Sequence, residues 1–395
     1  MLRFLTIFFI ISSLFSLAPG HHPIMNALID YKEPDYHFGE QVVFRANLQS
    51  DVPIVEAFLS YQSEGKTVQV VEIKNAVSGE ISYTLDLHQE VLRPFANVTY
   101  WFQVKPKDGE VVTSPHYTFF YEDNRFTWQK LENDPFVVHW VDGNLSFAQE
   151  VLNAAQAGLE EIQNLIPVTP PTKPIDIYVY SRVEDLQSAQ DLSNISWVAG
   201  NASPDLGVVM VSIAPGTDQR LVMDQQVPHE LAHVLTYQIT GSGYAKLPAW
   251  LTEGIASMSE LYPNSDYTYT LEVAKRDNAF IPMQELCNGF PRDASRAFLA
   301  YAQADSFSHY LQTNYGLPGM QKLIQKYLDG LGCSEGIQAA LGSPLNVLEY
   351  KWKQDSLKAN TAGLVLNNLM PYLVLIALII TVPLFSLVLI RHRSK

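Results

Sequence analysis

Cysteine is almost absent from this chain: Cys287 and Cys333 are the only two in 395 residues. Neither stands in a Cys-x-x-Cys pair, which excludes a thiolate zinc site and a dithiol redox motif. In an oxidising compartment the two could form one disulfide or remain free thiols. Positive charge is scarce as well. Lys and Arg number 26 against 41 Asp and Glu, a net charge of −15. That balance excludes nucleic acid as a partner, because a nucleic-acid binder needs a basic face. Charged residues of either sign make up 17% of the chain against 47% hydrophobic, a composition that fits folded protein with some membrane segment. No internal repeat or low-complexity tract stands out.

What is present begins with two apolar runs, one at each end. Residues 1–20 read as Arg3, an apolar stretch and then Ala18-Pro19-Gly20, the layout of a secretory signal peptide with a cut after Gly20. The other reading is an uncleaved anchor, for which the stretch is short. Residues 370–390 carry no charge and are followed by Arg391-His392-Arg393-Ser394-Lys395. About 20 apolar residues cross a bilayer as a helix, and basic residues stay on the cytoplasmic side. The expectation is a cell-membrane protein with one transmembrane helix at 370–390, a basic cytoplasmic tail at 391–395, and everything before the helix outside the cytoplasm. Asn97, Asn144, Asn194 and Asn201 each open an N-x-S/T sequon, which bears on surface exposure only where the host glycosylates.

Between the ends the periodicity changes once. Over residues 24–124, the segments 41–48, 55–61, 68–73, 81–87, 99–104 and 117–121 alternate apolar and polar side chains. Turn signals such as Ser78-Gly79 separate them. A small all-β sandwich is expected there, and Tyr100-Trp101-Phe102-Gln103-Val104 resembles a closing strand of immunoglobulin or fibronectin type III modules. From 125 to 359 the pattern is mixed. Strands are expected at 136–140, 175–180 and 207–213, and helices at 146–165, 218–239, 249–261, 296–314, 320–330 and 344–359. Strands first and helices afterwards is an α+β order.

Chemistry concentrates in His229-Glu230-Leu231-Ala232-His233. Two histidines four apart on a helix share one face, and their nitrogens can converge on one zinc ion. Glu230, one turn before His233, can reach the open side and take a proton from water. This is the HExxH pattern. A third ligand is still required, and Glu253 stands 20 residues after His233 in Trp250-Leu251-Thr252-Glu253-Gly254. Gly241, Gly243 and Pro248 let the chain turn back between them.

In these two segments the chain resembles the gluzincin metallopeptidases, the thermolysin-like group, and most of all the exported peptidase MA-like proteins. The resemblance spans residues 130–355 and implies a zincin-like domain. It also implies one Zn2+ held by His229, His233 and Glu253, with Glu230 as general base. The family often places a later tyrosine or histidine at the oxyanion. Here Tyr301 takes that position, unless it is a packed aromatic, with His309 and Tyr310 as weaker candidates. Three departures follow. The acid that orients a zinc histidine is expected where Ser257 stands, and Glu260 is either its substitute or a solvated charge. The strand at 207–212 lacks the acid that binds a free amine in aminopeptidases, which favours endopeptidase action, though as an edge strand it could pair with a peptide. The β-module has no counterpart in thermolysin. The function expected is a zinc endopeptidase acting on a peptide or protein substrate. The alternative is a membrane-tethered binding or scaffold protein on a peptidase fold.

Overall fold

The computed structural model describes residues 27–107, 109–190, 200–358 and 379. The apolar runs at 1–20 and 370–390 lie outside these residues, Ile379 apart. Among the described residues no helix is long and apolar enough to cross a membrane.

Two compact units are present: Met1–Leu92 with Asn97–Phe120, and Arg93–Ala96 with Tyr121–Lys395. The first unit is all β. Its strands are β1 (Ala27–His37), β2 (Gln41–Ser50), β3 (Ile54–Ser63), β4 (Gln69–Glu72), β5 (Gly79–Asp86), β6 (Ala96–Pro106), β7 (Val112–Thr113) and β8 (Tyr117–Tyr121). They form one sheet in the order β1-β2-β5 and another in the order β4-β3-β6-β7, with β8 also paired to β6. Strict alternation buries Val42, Phe44, Ala46 and Leu48 of β2, and Val98, Tyr100, Phe102 and Val104 of β6. Phe44 touches the rings of Tyr61, Tyr100 and Phe119, so both sheets share one core.

The second unit is α+β. Its elements run β9 (Gln129–Asn133), β10 (Phe136–Trp140), α1 (Leu145–Leu165), β11 (Ile175–Tyr180), α2 (Val183–Ala189), β12 (Gly200–Ser203), β13 (Val208–Ser212), α3 (Gln219–Thr240), α4 (Ala249–Met258), α5 (Ser265–Asp277), α6 (Ala294–Leu328), α7 (Cys333–Leu341) and α8 (Leu345–Asp355). The sheet order is β12-β13-β11-β10-β9, with β10, β11 and β13 parallel and both outer strands antiparallel. The three parallel strands are apolar along nearly their whole length, as burial on both faces requires.

One expectation changes here. The strand at 208–212 is internal, not an edge: β12 pairs along its outer side. The helices expected at 296–314 and 320–330 are both present within α6, separated at Gly316, whose φ +63° and ψ −172° are not helical. Glycine accepts that left-handed conformation at little cost.

Close approach between helices sets the site. A Cβ on Gly158 of α1 would lie 2.8 Å from Pro228 Cβ of α3. A Cβ on Gly254 of α4 would lie 2.7 Å from the Ala304 carbonyl of α6 and closer still to Ser308 Oγ. Both positions therefore exclude a side chain. Cys287 and Cys333 form a disulfide. It lies behind α4, where Trp250 Nε1 donates to Cys333 Sγ at 3.4 Å.

Candidate metal centre

Helix α3 buries Val227, Leu231, Ala232, Val234 and Leu235. That leaves His229 and His233 on the face turned to α4. Their rings lie 5.4 Å apart, and α4 brings Glu253 opposite them. Glu253 Oε2 is 3.6 Å from His229 Nε2 and 3.7 Å from His233 Nε2. A tetrahedral ion with bonds of ~2.1 Å separates its ligand atoms by about 3.4 Å. Both glutamate–histidine spacings come close to that, and all three atoms lie within 4.8 Å of one another, so the group could hold one ion.

Both outer ring nitrogens are engaged. His229 Nδ1 meets Glu260 Oε1 at 3.1 Å and His233 Nδ1 meets the Tyr244 hydroxyl at 2.8 Å. A carboxylate can only accept from His229 Nδ1–H, so Nε2 is the nitrogen that faces Glu253 and a metal ion. Such outer partners fix ring orientation and raise ligand basicity.

The placement of Glu260 follows from Pro228. A proline inside a helix has no N–H, so the carbonyl four residues back loses its partner. In α3 that carbonyl belongs to Asp224, and it accepts instead from Leu261 N–H at 2.8 Å. Ser259 Oγ donates to the Pro228 carbonyl at 3.0 Å. The segment just past the end of α4 is thereby tied to α3, with Glu260 against His229. Glu260 thus occupies the orienting place that Ser257 does not.

Glu230 is 8% exposed. A Cβ on Gly200 of β12 would lie 2.6 Å from Glu230 Oε1, so a side chain there would push the carboxylate aside. Burial pushes the Glu230 carboxyl up to about 7, against the pull of a charged His229 and with the push of Glu253 and Glu260. Burial also acts to lower His229, but Glu253 and Glu260 outweigh it and hold the imidazole well above the ordinary histidine value. His233 is lowered by burial. Glu253 is held below the ordinary value by the two histidines, despite its burial.

A cavity of about 320 Å³ opens on these groups. His229, His233, Glu230 and Glu253 form one wall, Tyr244 and Tyr301 another, and β12 with Pro204 a third. Tyr301 packs edge-on against Phe290 at 4.9 Å and lies 6.3 Å from the His229 ring. Burial, then Glu253 and Glu230, push its phenol far up, so it keeps its proton. His309 and Tyr310 are not among the lining residues: His309 faces Asp305 at 3.6 Å, and Tyr310 packs on Phe307. Tyr244 and Gly200 had no signal in the sequence, since neither belongs to a motif and both reach the site through tertiary turns.

The geometry gives two histidines and one glutamate that could hold a metal ion, with a further carboxylate beside them. The model of the Peptidase MA superfamily matches residues 154–359, just over half of the chain. This chain belongs to that superfamily. No curated protein matches it. Among solved structures, a family 56 carbohydrate-binding module, described as a β-1,3-glucan binding domain, is 18% identical. It covers 23% of this chain and 96% of its own, with a TM-score of 0.17. OgpA from Akkermansia muciniphila, solved with an O-glycopeptide, is 14% identical over 24% of this chain and 28% of its own, at a TM-score of 0.19. TM-scores this low support no statement about fold or function.

Proposed function

We propose that the chain is a zinc-dependent endopeptidase, held to a membrane by residues 370–390 with its folded units outside the cytoplasm. The observation that carries the catalytic reading is the convergence of His229 Nε2, His233 Nε2 and Glu253 Oε2 beside the Glu230 carboxylate on one open cavity. When bound, zinc supplies Lewis acidity toward water and a peptide carbonyl. Glu230 takes the proton of the attacking water and returns it to the leaving amine. A carboxyl near pH 7 in its proton affinity suits both transfers. Tyr301 donates to the oxyanion, a contribution of about 2.7–4 kcal/mol for one such donor. Tyr301→Phe is therefore expected to lower kcat by about 10²–10³ at unchanged zinc content. An unaltered kcat removes Tyr301 from the chemistry.

Internal cleavage is supported by the β12–β13 hairpin. Its one acid is Asp205, and that carboxylate is held by Arg93. No acid on either strand is left to bind a substrate amine. Peptides longer than about ten residues, digested and read by mass spectrometry, should yield internal cuts that a chelator abolishes and zinc restores. Release of single terminal residues alone contradicts the endopeptidase assignment. The membrane placement rests on the apolar run and its basic flank. External protease should shave the folded units from intact cells, and their protection contradicts it.

A further inference from the structure

Strand β12 is four residues long and, among the described residues, is the outermost strand of its sheet, yet it lines the cavity. Among those residues only its ladder to β13 restrains it. Beyond Ser203 the chain turns through Pro204, Asp205, Leu206 and Gly207 before Val208 pairs back with Ser203. Leu206 N–H donates to the Ser203 carbonyl at 3.1 Å, and Gly207 takes φ +72°. Pro204 in this turn also lines the cavity.

The apex of the turn is clamped. Arg93 Nη1 and Nη2 each donate to one Asp205 oxygen at 2.6 Å. The pair is partly desolvated, with side-chain exposures of 18% and 33%. Parallel two-point pairing is the strong form of an ion pair, unlike an isolated surface contact. The base of the clamp is firm too. Segment Arg93–Ala96 belongs to the second unit although the sequence on both sides belongs to the first. Phe95 is buried, stacks on Tyr178 of β11 at 3.7 Å, and donates its N–H to the Tyr121 carbonyl at 2.8 Å. It does so at φ +55°. A left-handed conformation is unfavourable for a bulky residue, and packing must hold it there.

We propose that Arg93 is a positioning residue for the substrate: its clamp on Asp205 fixes the β12–β13 hairpin as the wall against which the peptide is held. The inference rests on the peptidase reading. It makes 93–96, which interrupts the β-module in sequence, a working part of the catalytic unit. It also neutralises the one acid of the hairpin beside a site that already holds Glu230 and Glu253.

The test uses the full chain as wild type, Arg93→Ala, Arg93→Lys, and the exchanged pair Arg93→Asp with Asp205→Arg. Arg93→Ala should speed amide exchange in residues 200–206 by about tenfold and leave 229–233 unchanged. It should raise KM about 5–10-fold with kcat within about twofold and zinc content unaltered. The lysine, which cannot pair at two points, should fall between wild type and alanine, and the exchanged pair should recover most of the loss. Exchange equal to wild type in Arg93→Ala, or faster exchange with an unaltered KM, overturns the proposal. A wild type that binds zinc but cleaves nothing fails the peptidase reading instead, and the exchange measurement still decides whether Arg93 holds the hairpin.

Discussion

At the scale of single residues, Glu260 is the most informative. It accepts from His229 Nδ1, and neutral Glu260→Gln keeps the shape while weakening that acceptor. Zinc affinity should fall about 10–100-fold, read by competition with a chromophoric chelator. An unchanged affinity means the contact is packing alone. The same acid helps hold His229 protonated above the ordinary range, so a proton must leave Nε2 before it can bind metal. Zinc uptake should release protons at neutral pH, and retention should weaken as pH falls. The histidines, Glu230 and Glu253 were legible in the sequence because helical spacing and one short return loop place them. Glu260 was ambiguous because it lies past the end of α4 at Met258, where counting helical turns from Glu253 no longer applies. What places it is a carbonyl freed by Pro228, a tertiary effect.

At the scale of elements, β12 carries the next prediction. In Gly200→Ala the new Cβ meets the far end of Glu230, a flexible side chain. The carboxylate moves, and the fold need not. Stability should change by less than about 1 kcal/mol, zinc should stay, and turnover should fall at least about tenfold as the base leaves its place. Full turnover in this variant means Glu230 tolerates the shift. The strand itself was invisible in the sequence: Gly200-Asn201-Ala202-Ser203 has no apolar alternation, and its pairing with β13 is made by backbone alone. The long parallel strands and the amphipathic α1 were legible because burial on two faces, or on one, leaves a periodic mark. The division within α6 was legible as well, because the non-helical φ and ψ of Gly316 end one helix before the next begins.

For the molecule as a whole, the change from strands to helices marked two units, but the transfer of Arg93–Ala96 to the second could not be read from a local pattern. The disulfide Cys287–Cys333 closes a span of 46 residues. By loop-closure entropy such a span contributes about 4 kcal/mol, within the usual range of about 2–4 for measured bridges. Reduction, or Cys287→Ser with Cys333→Ser, should lower the thermal midpoint of the second unit and leave the first unit's transition in place. An unmoved midpoint contradicts a stabilising bridge. The central claim is that Glu230 is the base beside a zinc ion held by His229, His233 and Glu253. The most direct test measures zinc by elemental analysis and cleavage of a mixed peptide library for wild type and Glu230→Gln side by side. About one zinc in each, with turnover in the variant lower by at least about 100-fold, is the predicted result. Equal cleavage by both, or zinc in neither, contradicts the account.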